Sequence, residues 1–581
     1  MPRCLIESLP EMKLARSRLE KAKLIREDLF VPASVRHYAP GKRYFIKTFG
    51  CQANVRDEEI LSGYLSLAGL TATADEKEAD LVVINTCAVR ENAEEKVYGE
   101  IGKFKESRKK NKDFILCVSG CMMQEEKVAE KIMKSYPYVN IVFGTHNVPD
   151  ILNLLAEHLE TKKDLVKVLS FSGDIIENLP SKRSDPYKAY VNISYGCDKF
   201  CTYCIVPYTR GRERSRPLTD VLAECRLLVE EGYQEITLLG QNVNSYGKDF
   251  HDGTSFATVL EAVAKLGIPR LRFMTSHPWD FTPAMLEVIA RYPNIMKCIH
   301  LPVQSGSDEI LREMGRRYTR EQYLSLVQRI RDKIPEVAIT TDIIVGFPNE
   351  TEEEFEDTIT LCQEVNFDAA FTFIYSPRKG TPAASIKDNV SDEDKHKRFN
   401  RLLTVVEASV TSHSAPMVGK TYAVLVDGPS KKDEAVLSGY TENGKPVNFP
   451  GPAYLRGEIV EVKILEDHAF SMRGELVGDP LIIKASALRR ALSSEPLIKE
   501  FLSLDETIAR DPYLVSLRGQ IKESQRKLVP LAKKNPNGYL LAKAGYESLR
   551  EDYRNHPIVK NHEALHDDVA SLLSFVAKEI S

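Results

Sequence analysis

The chain has 581 residues, of which 43% are hydrophobic and 28% charged, with a formal net charge of -4. That length exceeds a single core and predicts about three to five domains, while the charge balance excludes nucleic-acid binding through net charge and leaves only local basic patches for it. No apolar run reaches the roughly 18 residues that span a bilayer, and residues 1–30 lack the continuous apolar segment of a signal peptide, so a cytoplasmic protein without membrane contact is expected.

Residues 1–41 alternate charge with scattered Leu and Ile, which predicts a helical surface extension. From 42 to 160 the apolar runs YFIKTFG, DLVVINT, FILCVSG and NIVFGT alternate with stretches such as RDEEILSGYLSLAGL and QEEKVAEKIMKSY, whose apolar residues recur at helical spacing. This predicts a parallel α/β domain. Cys51, Cys87 and Cys121 each fall just past the carboxyl end of a predicted strand, where open α/β sheets form their binding crevice. Three thiols from three such loops can hold an iron-sulfur cluster one protein ligand short. The plainer reading, a buried small hydrophobe, is the one given to Cys4, Cys117, Cys225, Cys298 and Cys362.

A linker rich in Ser, Asp, Lys and Pro, about residues 171–187, leads into a domain expected over 183–412. Its first strand, AYVNIS, is followed by Cys197, Cys201 and Cys204, three thiols in one short loop. Such a loop can bind one iron-sulfur cube and leave one iron open to chelate S-adenosylmethionine and reduce it. A zinc site would need a fourth Cys or His close by. A disulfide framework fits poorly with 11 cysteines, an odd number, and no secretion signal. The strand candidates EITLLGQNV, LRFMTSHP, MKCIHLPVQSGS, VAITTDIIVGFP and FDAAFTFIYSP bring the total to six strand-helix units, an incomplete version of the eightfold barrel, whose function clusters where strands end. Those ends are polar and rich in small residues, suited to close approach of a ligand. His277 and His300 are read as structural.

Arg210, Arg212, Arg214 and Arg216 follow the cysteine loop. They are read either as a solvated charged face or, beside a reactive loop, as RNA phosphate contacts. From 413 to 478 five short β segments separated by Gly, Pro, Asn and Asp predict a small barrel; its Lys420, Lys431, Lys432, Arg456 and Arg473 are candidate phosphate contacts. Residues 483–581 carry apolar residues at helical intervals in ALRRALSSEPLIKEFLSLDETI, YLVSLRGQIKESQRKLVPLAK and ALHDDVASLLSFVAKEI, punctuated by Pro512, Pro530, Pro536 and Pro557.

The cysteine contexts FGCQAN, NTCAVRE and SGCMMQ, together with YGCDKFCTYCIVPYTRGRERSR, resemble the radical S-adenosylmethionine methylthiotransferases over residues 44–478. Gln52 and the GRERSR run match the branch that acts on dimethylallyladenosine in tRNA. Relatives acting on a ribosomal protein usually have Lys at the first of these positions, and those acting on threonylcarbamoyladenosine read GCKVN. Ala53 departs from the commoner Met. The resemblance implies a multidomain α/β protein: an N-terminal parallel α/β domain, a (β/α)6 radical core, a TRAM RNA-binding barrel and an all-α C-terminal module. It implies two 4Fe-4S clusters, one on Cys51, Cys87 and Cys121 and one on Cys197, Cys201 and Cys204. The activity implied is methylthiolation at C2 of N6-dimethylallyladenosine, position 37 of tRNA, with S-adenosylmethionine as methyl donor and radical source. Tyr203, Gln241, Asn242, Gln304, Ser305 and Asp342 then look like contacts to S-adenosylmethionine or the target base, each also readable as an ordinary turn or cap residue. An electron donor such as flavodoxin or ferredoxin is implied, with the sulfur donor unspecified. The C-terminal module is similar, more weakly, to the YlbF/YmcA family of helical proteins, which implies a helical partner or self-association. Two other readings are a methylthiotransferase for threonylcarbamoyladenosine or a ribosomal protein, and a non-catalytic iron-sulfur RNA-binding regulator.

Overall fold

A computed structural model describes residues 3–6, 22–26, 29–88, 91–169, 174–430, 433–468, 470–534 and 536–580. Residues 1–477 form one compact unit and 478–581 another.

The first domain is a seven-stranded, wholly parallel sheet. In spatial order its strands are Arg3–Ile6, Leu165–Val168, Ile141–Phe143, Ile115–Gly120, Leu81–Thr86, Arg43–Thr48 and Thr71–Ala72. The central runs LVVINT and ILCVSG are buried at every position, as a parallel sheet covered on both faces requires. Leu81, Val83, Ile115 and Cys117 pack against the helices Gln52–Leu67 and Ile151–Thr161 on one side. Val82, Ile84, Leu116 and Val118 pack against Glu91–Lys103 and Glu126–Ser135 on the other. Two expectations are corrected here. The domain runs past residue 160, because Leu165–Val168 pairs in the same sheet. The N-terminal extension is strand where Arg3–Ile6 and Leu24–Arg26 are described, since Leu165–Val168 and Ile175–Glu177 offer unpaired edges to which a short apolar segment adds. Much of the expected helix lies outside the described residues.

The core contains the six expected parallel strands, Lys188–Asn192, Glu235–Leu239, Arg270–Phe273, Cys298–His300, Ala338–Val345 and Ala369–Ile374, in two halves joined by a Leu271/Ile295 bridge. The helices between them begin where the sequence supplies caps. Thr319 Oγ1 accepts from Gln322 N while Gln322 Oε1 accepts from Thr319 N, and Thr351 and Glu354 repeat the arrangement. Along Ala338–Val345 the fully buried Ile339, Ile343 and Val345 pack into the helical layer. Thr340, Asp342 and Ile344 alternate with them, half-buried, and face the barrel interior. Cys117, Cys225 and Cys362 are buried, and Cys298 is half-buried.

The third domain is a closed five-stranded barrel in the order Thr421–Pro429, Val436–Thr441, Pro446–Pro450, Met472–Leu476 and Ile459–Asp467. It docks on the core through Arg270, whose guanidinium donates to the Tyr440 and Ala423 carbonyls at 2.8 Å each, and through a Lys188–Asp427 ion pair.

Among its described residues the second unit comprises five helices, Pro480–Ser494, Pro496–Arg510, Pro512–Lys534, Pro536–Asn555 and Pro557–Ile580. Each begins on proline, whose missing N–H is harmless only in the first turn. The stretch ALRRALSSEPLIKEFLSLDETI is divided between two helices at Pro496, whereas Pro530 lies inside a helix.

Candidate active site

The strands ending at Thr48, Thr86 and Gly120 are neighbours in one parallel sheet, so the loops carrying Cys51, Cys87 and Cys121 emerge side by side. Two glycines let them converge. Gly50 has φ +126, and a Cβ there would lie 2.5 Å from Cys87 Cβ; Gly120 has φ +107, and a Cβ there would strike the Thr86 backbone. Asn54 sews the loops together, its Nδ2 donating to the Thr86 carbonyl at 2.7 Å and the Phe49 carbonyl at 3.2 Å. Asn54 Oδ1 accepts from Cys51 Sγ and from Arg210 Nη2, and the same guanidinium pairs with Asp57 at 2.7 Å. A hydrogen bond with Cys87, helped by the Arg210 charge, lowers the Cys51 thiol to about 5 against the effect of burial. Burial raises Cys121, and Arg210 opposes it.

Cys197, Cys201 and Cys204 lie in one loop clamped from both sides. Gly196, at φ +70, could carry no Cβ, which would lie 2.1 Å from the Arg212 carbonyl oxygen. Cys197 N donates to the Gly211 carbonyl, Cys204 N to that of Cys201, and Thr202 N to that of Met314. Arg316, buried, donates to Cys201 Sγ at 3.8 Å and to the Pro302 carbonyl at 2.6 Å. Burial pushes Cys204 up to about 12 and Cys197 well above its ordinary value. Thiols in so apolar a place ionise only with a strong local positive charge, which a bound metal cluster provides.

All six cysteines carry free thiols. Among the described residues no three His, Cys, Asp or Glu side chains lie close enough together to hold one ion. The thiols of the first trio come from three neighbouring loops and those of the second from one, a donor set that suits an iron-sulfur cluster with one open iron. The two sites adjoin. Ala88 and Cys121 of the first domain share one small buried apolar cluster with Phe200, Ile205 and Tyr208 of the core loop, and Arg210 follows Cys204 after a single helical turn, Val206–Thr209.

The barrel mouth holds buried polar atoms with no partner among the described residues: Asn242 Oδ1, both amide atoms of Asn244, and Ser276 Oγ. Such groups are destabilising unless a bound molecule or water completes them, and they fit a polar ligand such as S-adenosylmethionine. The expected contact residues separate into two sets. Gln241 and Asp342 are half-buried at the barrel mouth and interior. Gln304, buried at φ +75, extends the sheet by pairing with Ile343. Asn242 is held by Asp280, its Nδ2 donating at 2.6 Å. Ser305, by contrast, is fully buried and spent on the fold, its Oγ meeting Thr358 Oγ1 and accepting from Ser307 N; a serine two residues before a helix cap competes for local backbone donors. Tyr203 packs beside Phe347 and Tyr375. His277 accepts from Trp279 N, and His300 bonds Thr340 Oγ1 at 2.9 Å and lies 3.5 Å from Asp342. Asp280, Lys199 and Arg316 escaped the sequence reading. Asp280 is buried and takes Lys199, Lys248 and Asn242 together, and its signal was only a carboxylate in the loop that follows a strand.

The arginine run does not form a phosphate-binding face. Arg210 is turned to the cysteine trio, as above. Arg212 clamps Asp198 with bonds of 2.6 and 2.8 Å. Arg214, 6% exposed, donates to the Arg210 and Arg212 carbonyls. Arg216, equally buried, binds Glu177 through two bonds of 2.6 Å and Glu224 at 2.7 Å. With Arg56, Glu59 and Arg183 these make a buried network joining first domain, linker and core. On the small barrel Lys420 is exposed, with no carboxylate partner among the described residues. Arg456 is drawn to Tyr187 and Asp185, and Arg473 to Glu466. Lys431 and Lys432 lie outside the described residues.

Three family profiles match the chain: Uncharacterized protein family UPF0004 over residues 43–144, the Radical SAM superfamily over 191–362 and the TRAM domain over 416–477. Similar relatives bear the name tRNA-2-methylthio-N(6)-dimethylallyladenosine synthase. That of Oceanobacillus iheyensis is 51% identical over 469 residues, 81% of this chain and 90% of the relative. That of Staphylococcus epidermidis is 52% identical (81% and 91%), and that of Bacillus subtilis 49% (82% and 94%). A solved radical S-adenosylmethionine methyltransferase, TsrM from Kitasatospora setae, overlays at a TM-score of 0.44 with 14% identity, covering 59% of this chain and 75% of that one; nothing further is built on that likeness.

Proposed function

The chain belongs to the tRNA-2-methylthio-N(6)-dimethylallyladenosine synthases, and from that premise we propose how its two cysteine sites divide one reaction. It is a radical S-adenosylmethionine tRNA methylthiotransferase, acting at C2 of N6-dimethylallyladenosine at position 37 of tRNA. Bound to the two trios, a pair of 4Fe-4S clusters with S-adenosylmethionine supplies the electron and radical at the core loop and the sulfur at the first-domain trio. Cys197, Cys201 and Cys204 hold one cluster, and Arg316 fixes Cys201 against the barrel. Cys51, Cys87 and Cys121 hold the other, with Arg210 setting the local charge beside Cys51. Asn242, Asn244 and Ser276 present their unpaired polar atoms to the methionine and nucleoside parts of the ligand, while Gln241, Gln304 and Asp342 orient the target base. Lys420 meets tRNA phosphate on the small barrel. A flavodoxin or ferredoxin supplies electrons in the cytoplasm.

The observation that carries this division is the apolar cluster shared by Cys121 and the core loop, which packs the two cysteine loops side by side. Nucleoside mass spectrometry of tRNA from a deletion strain tests it. The expected profile has N6-dimethylallyladenosine accumulating and its methylthio derivative missing, restored by the wild-type chain. Loss of a methylthio-threonylcarbamoyl nucleoside instead would overturn the assignment.

A further inference from the structure

One side chain at the barrel mouth is at odds with its surroundings. Trp279, the chain's sole tryptophan, lies in the short helical turn Pro278–Asp280 after the strand Arg270–Phe273, with 43% of its surface exposed. Indoles are normally recruited to cores for their large apolar surface, yet here the loop holds the ring outward and fixes it there. Trp279 N donates to His277 Nδ1, and the next residue, Asp280, is buried beneath Lys199, Lys248 and Asn242. Lys199 Nζ lies 5.1 Å from the ring centroid and the Arg317 guanidinium 4.9 Å. Lys199 belongs to the core cysteine loop, so the ring stands at the reactive end of the barrel. Its neighbour Arg316 points inward to Cys201, whereas Arg317 is exposed and has no carboxylate partner among the described residues. Two cations thus lie against one aromatic ring, Lys199 paired with the buried Asp280 and Arg317 without a carboxylate among the described residues.

An exposed ring rimmed by cations matches an unpaired nucleotide: the base stacks, and the phosphates meet the charges. We propose that Trp279 is the stacking platform for an unpaired anticodon-loop base beside the adenosine that enters the barrel, with Arg317 contacting a phosphate of the same strand. The inference rests on the tRNA reading above. Because any base offers a π-face, the platform places the strand without selecting its sequence; selection stays inside the barrel.

A single tryptophan makes the test direct. The anaerobic full-length holoenzyme is titrated with an anticodon stem-loop carrying N6-dimethylallyladenosine, following both indole fluorescence and the anisotropy of labelled RNA. The two signals are expected to saturate together. Trp279→Ala, at wild-type iron content and circular dichroism, should weaken binding roughly ten- to hundredfold, and Trp279→Phe less. Arg317→Ala should lower the slope of log affinity against log salt by roughly 0.7 to 1. If Trp279→Ala does not fold, the wild-type quench and Trp279→Phe carry the test. RNA that binds the wild type without quenching it, or binds Trp279→Ala as tightly, overturns the platform and leaves the tRNA reading intact. A wild type that does not bind the stem-loop at low salt overturns both.

Discussion

The two cysteine sites solve one problem in opposite ways. Cys197, Cys201 and Cys204 are delivered by a single loop that the barrel clamps through Gly196, Thr202 and Arg316. Cys51, Cys87 and Cys121 come from three loops that meet only because three parallel strands lie side by side. Local sequence assembles the first site, and the domain must fold before the second exists. The second also borrows from its neighbour: Arg210, the charge beside Cys51, comes from the core. Burial raises Cys121, Cys197 and Cys204 alike, whereas Cys51 is held low by its hydrogen bond with Cys87 and by Arg210, so the two sites differ at that one thiol as well as in how they are built.

The sharpest way to break this comparison is to remove ligands. Any of Cys197→Ala, Cys201→Ala or Cys204→Ala is expected to abolish 5′-deoxyadenosine formation, whereas Cys87→Ala should keep it and lose the methylthio product; chromatography of both products separates the outcomes. Next comes the network that holds the first domain on the core. Glu224→Gln strips the carboxylate facing Arg216, Arg183 and Arg56 and should lower stability by about 3 to 5 kcal/mol, read by thermal melting. Burial works against ionising Glu224, yet Arg216, Arg56 and Arg183 hold it down to about 2. A depressed carboxyl makes the unfolded chain bind more protons between the two pKa values. Its contribution should therefore be complete above about pH 4.5 and be lost as the pH falls towards 2. Melting scans across that window should show a smaller slope in Glu224→Gln.

Arg210→Ala sharpens the comparison with a smaller effect. It should weaken cluster retention at the first-domain site about ten- to hundredfold, as loss of an outer-layer partner does, while leaving the core cluster intact. Iron content and electron paramagnetic resonance distinguish the two, and Arg210→Lys should recover part of the loss. Smallest of all, Lys420→Ala should reduce the salt dependence of tRNA binding by about one phosphate contact without altering product identity.

Much of this architecture was legible in the chain itself. The apolar runs such as ILCVSG, the helical spacing between them and the CxxxCxxC loop are short-range patterns, because strand and helix periods and closely spaced thiols act over a few residues. The Arg210–Arg216 run misled for the complementary reason. Charge spacing suggests a solvated or phosphate-facing stripe, but Asp57, Glu177 and Glu224, which neutralise it, come from 153, 39 and 8 residues away. Ser305 was lost to a Thr358 it could not be seen to touch, and Asp280 was missed because its three partners converge only in space.

By itself the sequence determined the six thiols proposed as cluster ligands, their order along the chain and the strands that precede them. The tertiary structure decided which charges reach those thiols and which arginines reach solvent. Burial and long-range pairing set both, and neither can be read until distant residues share one low-dielectric interior.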